Sequence, residues 1–182
     1  MTTLSELERR LKTLEETLAI TQLKHRYFRL LDQQEWDALR ACFTDDVETH
    51  YESGHFRFSG IDEVMRFLSE SLEGLRRDGR WGIHLGHHPE IEILSETHAR
   101  GRWTLHAAIL DRGRGRAGRQ DSFYEDEYRK DDGLWRISRI GYTTFTQGSW
   151  EAPGLEMQVG DEADSRALNR EARSARAASE GR

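Results

Sequence analysis

Thr44-Asp45-Asp46-Val47-Glu48-Thr49-His50-Tyr51-Glu52 is the stretch where this chain changes its period. Val47, Thr49 and Tyr51 alternate with Glu48, His50 and Glu52, the two-residue repeat of a strand with one buried face. Before it the apolar residues repeat as they do on a helix. Leu4, Leu7, Leu11, Leu14 and Leu18 fall three and four apart, and the spacing continues through Ile20, Leu23, Tyr27 and Leu30-Leu31. Asp32 and Glu35 then have capping-box spacing, which predicts a second helix ending near Phe43.

After the switch, Gly54 turns the chain and His55-Phe56-Arg57-Phe58 returns as a strand, and Ile61 to Leu75 predicts a third helix introduced by Ser59-Gly60. Strand-like runs follow at Trp81 to Leu94, Ala99 to Asp111, Ser122 to Lys130 and Leu134 to Phe145, the last two joined by the turn signal Asp131-Asp132-Gly133. Helices first and long antiparallel strands after predict an α+β fold with the helices against one face of a curved sheet, which can leave a cone-shaped cavity. With 182 residues the chain suits one domain, taken as 1–150. Beyond Trp150 only Leu155, Met157, Val159 and Leu168 are large and apolar, so 151–182 reads as a polar extension.

Composition narrows the function. A net charge of −6 argues against nucleic acid as a partner, because phosphate binding needs surplus Lys and Arg. The run Arg112 to Arg119 is read accordingly as a mobile hairpin loop rather than an RNA-binding segment. Cys42 is the single cysteine, which rules out an internal disulfide and a thiolate metal cage. No stretch of about 18 apolar residues exists and the first residues lack a signal-peptide pattern, so a cytoplasmic protein without a membrane partner is expected.

His84-Leu85-Gly86-His87-His88 is the densest histidine cluster. In a strand His84 and His88 share a face and His87 takes the other, too few to converge on a metal, and none is expected. One histidine facing a cavity would serve as an acid or base, and the plain alternative is a set of hydrogen-bonded sheet histidines. Asp32 has two readings: a carboxylate at the disfavoured end of a helix, poised for chemistry, or a cap for the next helix. Tyr27 lies on the apolar side of the first helix, where its phenol needs a backbone or substrate partner. Tyr27 and Asp32 are about 140° apart on an ideal helix and meet one ligand only if the helix unwinds near Asp32. On the strand Arg100 to Asp111, Trp103 and Ala107 share the face expected to line the cavity, and His106 points outward unless a bulge turns it.

Lys24-His25-Arg26-Tyr27-Phe28-Arg29-Leu30-Leu31-Asp32 followed by Trp36-Asp37 resembles the start of a SnoaL-like domain of the nuclear transport factor 2 superfamily. His84-Leu85-Gly86-His87-His88-Pro89-Glu90-Ile91, Gly101-Arg102-Trp103 and Gly141-Tyr142 resemble its bile-acid 7α-dehydratase branch, and the similarity spans about residues 18 to 148. The resemblance implies a cone-shaped α+β barrel, with the curved antiparallel sheet packed on the N-terminal helices, a hydrophobic, ring-bearing substrate, no metal or organic cofactor, and Tyr27, Asp32 and His84 as the catalytic set. The branch's later aspartate falls at Ala107, or at His106 if the register slips by one, and its pocket arginine falls at Thr144. Tyr51, Trp103, Ala107, Tyr142 and Thr144 are the expected substrate-binding positions. The function expected is that of a cofactor-independent lyase, a dehydratase acting by proton abstraction. The alternatives are an isomerase or carbon–carbon lyase of the same superfamily, or a non-catalytic small-molecule-binding module.

Three features point to a homodimer or homotrimer: the polar outer face with Arg102, Thr104 and His106, the leucine seam from Leu4 to Leu18, and the tail. The seam itself has two readings, packing on its own domain or pairing with another subunit.

Overall fold

Helix α1 (Leu4–Gln33) opens with Thr3, whose Oγ1 accepts from the Glu6 N–H at 3.3 Å, and ends at Gln34 in a left-handed conformation. The computed structural model describes residues 2–72 and 80–153. The inner half of α1 buries Ile20, Leu23, Lys24, Tyr27, Phe28 and Leu31 against the sheet. Its outer half behaves differently. Leu4, Leu7, Leu11, Leu14 and Leu18 are between 51% and 73% exposed, so the seam does not pack on its own domain. Polar contacts hold this half instead, Lys12 to Glu96 at 2.7 Å and Glu16 to Lys130 and the Trp135 indole N–H.

The capping expectation for Asp32 fails. α1 runs through Asp32 without unwinding, and α2 is a single short turn over Trp36–Arg40 that starts at Glu35 with no side-chain cap. Strand β1 (Phe43–Tyr51) buries Val47, Thr49 and Tyr51 as its alternation predicts. His55 to Phe58 forms no strand; it is tied back by the bridges Tyr51 to Phe56 and Glu48 to Ser59 and by the Phe58 N–H, which donates to Thr49 Oγ1 at 2.9 Å. Gly60, at φ 82, makes the turn into α3 (Ile61–Leu72). The remainder of the predicted third helix, to Leu75, and the extension from 154 onward lie outside the described residues.

β2 (Arg80–Ile93), β3 (His98–Asp111), β4 (Arg116–Asp131) and β5 (Leu134–Glu151) form the expected antiparallel meander. Asp132 and Gly133, both at positive φ, make the β4–β5 turn as the Asp-Gly signal requires. β1 adds at the far edge, parallel to β5, giving the order β1-β5-β4-β3-β2 and a mixed rather than wholly antiparallel sheet. β4 and β5 are longer than their sequence patterns. Arg116 already pairs with Glu151, so only residues 112–115 remain of the expected loop. Bulges between His87 and Glu90, Asp121 and Ser122, and Glu127 and Tyr128 bend these long strands, and the helices fill the concave side.

Candidate active site

Asp32, on the last turn of α1, meets β2 at His84. One carboxylate oxygen takes the ring Nδ1 at 2.6 Å and the other accepts the His84 main-chain N–H at 3.0 Å. Gripping backbone and ring together fixes both the position and the rotation of the imidazole. A carboxylate only accepts, so Nδ1 is the donor to Asp32, and no described residue hydrogen-bonds the other ring nitrogen, Nε2. The pair is neither sealed nor open: the side chains of His84 and Asp32 are 20% and 19% exposed.

The neighbours of His84 are chosen for space. Gly82 and Gly86 flank it on the inner face of β2, and Ala107 is its partner on β3. Phe28 lies parallel to the imidazole, ring centroids 6.4 Å apart and planes at 9°. A Cβ on Gly86 would fall 2.2 Å from a Phe28 ring carbon, so only glycine lets that ring reach its place. His87 and His88 are exposed, and His88 takes φ 51 at the bulge. Of the three clustered histidines, only His84 faces the helices. Among the described residues no group of three or more His, Cys, Asp or Glu is arranged to hold a metal.

Tyr27 sits deeper, at 1% exposure, beside Phe28 and Phe43 and close to the hydroxyls of Tyr124 and Tyr51. Burial, then Tyr124 and Tyr51, pushes its phenol well above the ordinary range, so it keeps its proton. The ring stacked on His84 is that of Phe28, not Tyr27. Tyr51 and Trp103 are equally covered, at 2% and 1%. Trp103 Nε1 donates to the Tyr128 hydroxyl at 3.0 Å, and that hydroxyl donates to Asp126 at 2.9 Å. Ala107, Tyr142 and Thr144 lie on the inner face, with Tyr142 and Thr144 half-buried. β3 runs without a bulge past His106, which stays on the outer face and pairs with Asp121 at 2.6 Å.

Two groups escaped the sequence reading. Lys24 and Asp126 form an ion pair at 2.6 Å with both side chains at 0% exposure. The Lys24 ammonium lies 3.7 Å from the Tyr124 ring centroid and 4.9 Å from those of Tyr27 and Phe28. Burial pushes the Lys24 ammonium down and the Asp126 carboxyl up, and the attraction of each for the other opposes both shifts. The signal was present: Lys24 falls on the apolar stripe of α1, and Asp126 alternates with Tyr124 and Tyr128 on one face of β4. Glu52 is the second. It follows β1 at φ 48 and accepts from the Thr144 hydroxyl at 2.6 Å and the Thr144 N–H at 3.2 Å.

A groove of about 700 Å³ lies elsewhere, mostly on the sheet face turned away from the helices, and includes neither Asp32 nor His84. Three of its four arginines are paired with carboxylates, Arg100 with Glu92, Arg102 with Glu125 and Arg139 with Glu127, and Arg57 donates to the Gly54 carbonyl at 3.0 Å. No helix among the described residues is long and apolar enough to cross a membrane.

Residues 12–141 match the family model described as SnoaL-like domain. A solved structure from Novosphingobium aromaticivorans DSM 12444, provisionally assigned as a scytalone dehydratase, is 25% identical, with 80% of this chain and 97% of that one covered and a TM-score of 0.68. Hexachlorocyclohexane dehydrochlorinase LinA-type3 from Novosphingobium barchaimii LL02 is 18% identical over 83% of this chain and 99% of its own, with a TM-score of 0.68. An ntf2-like protein with a cystatin-like fold from Novosphingobium aromaticivorans is 22% identical over 92% and 97%, with a TM-score of 0.69. The last two likenesses bear on the fold, a curved sheet wrapped round N-terminal helices.

Proposed function

Because the chain belongs to the SnoaL-like domain family, we propose that it is a cofactor-independent lyase, a dehydratase acting on a bulky hydrophobic or aromatic compound with an acidic C–H. The observation that carries this reading is the Asp32–His84 contact at 2.6 Å, with Nε2 of the ring unbound by any described residue. The likeness to a provisional scytalone dehydratase supports it. We place the chain nearest the bile-acid 7α-dehydratase branch on Tyr27, Asp32 and His84. Ala107 and Thr144 stand where that branch has aspartate and arginine, so bile acid is not the substrate proposed.

In this mechanism Nε2 of His84 removes the proton from carbon, the C–H electrons form the double bond, and the C–O bond to the hydroxyl breaks. The imidazolium returns its proton to the departing oxygen, which leaves as water. Asp32 stabilises the imidazolium and holds the tautomer. Tyr27, kept protonated by burial, is the donor assigned to the substrate carbonyl or leaving hydroxyl. Its ring is covered in this structure, so the role requires substrate to part the packing above it. Tyr51, Trp103, Ala107, Tyr142 and Thr144 would surround the ring system.

The test is a screen of β-hydroxy aromatic ketones for loss of water by mass spectrometry, with His84→Ala as the comparison. The variant should be slower by about 10²-fold or more. Unchanged turnover would sink the mechanism; rearrangement without loss of water would make the protein an isomerase; binding without turnover would make it a carrier. We also propose a homodimer or homotrimer, supported by the exposed leucine seam. Light scattering at the monomer mass of 21.2 kDa would refute it.

A further inference from the structure

His84, Ala107 and Gln120 are successive partners across β2, β3 and β4, so they share the inner face in one row. Two strand spacings, about 10 Å, separate the first from the last. Between them Ala107 contributes a single methyl group. Leu105, Ser122 and Thr144 form the adjoining row. The far end is a connected polar group: Gln120 Nε2 donates to Ser122 Oγ at 3.0 Å and to Thr144 Oγ1 at 2.9 Å. Thr144 gives both its hydroxyl and its main-chain N–H to the Glu52 carboxylate.

Glu52 carries the formal charge of this end, and no cation among the described residues pairs with it. Its two oxygens receive one hydrogen bond each from Thr144 and retain lone pairs for more. Glu52, Gln120, Tyr142 and Thr144 are all half-buried, as His84 is, whereas Tyr51 and Trp103 beneath them are sealed. An unpaired carboxylate in such a place accepts a hydroxyl and repels an anion. Position 144 is a threonine, so it offers this end a hydroxyl and no cation for an anionic substituent.

We infer that Glu52, Thr144 and Gln120 form the far pole of the substrate site, which receives a neutral hydroxyl on an aromatic ring system and turns away carboxylates and phosphates. The inference rests on the reading of Asp32–His84 as the reactive end, and it fixes the substrate class as a phenol or alcohol spanning about two strand spacings.

Fluorescence titration of the full chain with 2-naphthol and 2-naphthoate at neutral pH tests it. Wild type should bind the naphthol at least about tenfold more tightly, and Glu52→Gln should lose most of that preference with an unchanged thermal midpoint. Thr144→Val removes one donor to Glu52 without changing size and should narrow the preference, while Thr144→Arg should reverse it. Equal binding of both probes, binding of neither, or a preference indifferent to Glu52 would overturn the inference. The readout is independent of turnover: a Glu52-dependent preference with an active His84→Ala variant would retain the pole and discard the lyase mechanism.

Discussion

Two acid–base pairs join α1 to the sheet, eight residues apart along the helix and so about 12 Å apart in rise. Lys24 and Asp126 meet at 2.6 Å with no exposure on either side. Asp32 and His84 meet at the same distance with about a fifth of each side chain open. The contact is alike and the surroundings differ. Aromatic rings enclose Lys24, so its charge is committed to Asp126 and can do nothing but hold the core in register. Glycine on both sides of His84 and alanine opposite leave space beside its ring, and among the described residues nothing hydrogen-bonds its second nitrogen. Exposure of a few atoms separates the sealed pair from the half-open one.

The comparison breaks most visibly at the sealed pair. Asp126→Ala leaves an ammonium among rings without a counter-charge and should cost about 3–5 kcal/mol in urea unfolding. The double variant Lys24→Met/Asp126→Leu, which removes both charges, should recover most of that loss. A single variant as stable as wild type would mean that water reaches the pair.

At the half-open pair the same kind of change should fall on activity. Asp32→Asn keeps the shape, and its stability should stay within about 1 kcal/mol of wild type. Turnover should drop by about 10²-fold or more, because the imidazole loses its fixed tautomer. Nitrogen NMR of the His84 ring, which reads the tautomer directly, should show the change in the free protein.

Gly86→Ala sharpens the contrast from the steric side. The new methyl would collide with Phe28, and displacing that ring should cost about 1–3 kcal/mol in stability and slow turnover as the ring against His84 shifts. Adding Phe28→Leu to remove the struck ring should restore stability. A harmless Gly86→Ala would show that Phe28 moves freely and does not position His84.

The smallest effect lies at the surface. Arg129 clamps both oxygens of Asp46 at 2.9 and 2.8 Å and lowers its carboxyl from 3.8 to about 2. A carboxyl depressed on folding stabilises above its unfolded value, so this contribution is lost as pH falls from about 4 to about 2. Asp46 is 67% exposed, so solvent screening keeps the loss below about 1 kcal/mol. Asp46→Asn should flatten the acid limb of a stability-against-pH curve by that amount.

Much of the fold was legible because its signals are local. The helix period before Thr44, the strand period after it and the Asp132-Gly133 turn each depend on a few neighbouring residues, and the structure has α1, β1 and the β4–β5 turn at those places. The Asp32–Glu35 spacing was also local, and it misled. It offered a cap, while His84 offers a ring N–H and a main-chain N–H to the same carboxylate, two charge-assisted bonds where a cap would take one. Glu52 and Thr144 stand far apart in the chain with nothing in either neighbourhood to link them, so their contact was invisible.

What the sequence alone determined is the order of elements and the inward faces of the strands, and it singled out His84 and Asp32 as candidates by residue type. Those follow from period and side-chain type, which the chain carries wherever it goes. The tertiary structure alone decided that β1 lies parallel to β5, that the leucine seam stays uncovered, and that Lys24 and Asp126 meet as a buried ion pair. These depend on which distant segments pack together. Burial sets the cost of a charge and the worth of a hydrogen bond, and it belongs to the packed chain, not to any segment of it.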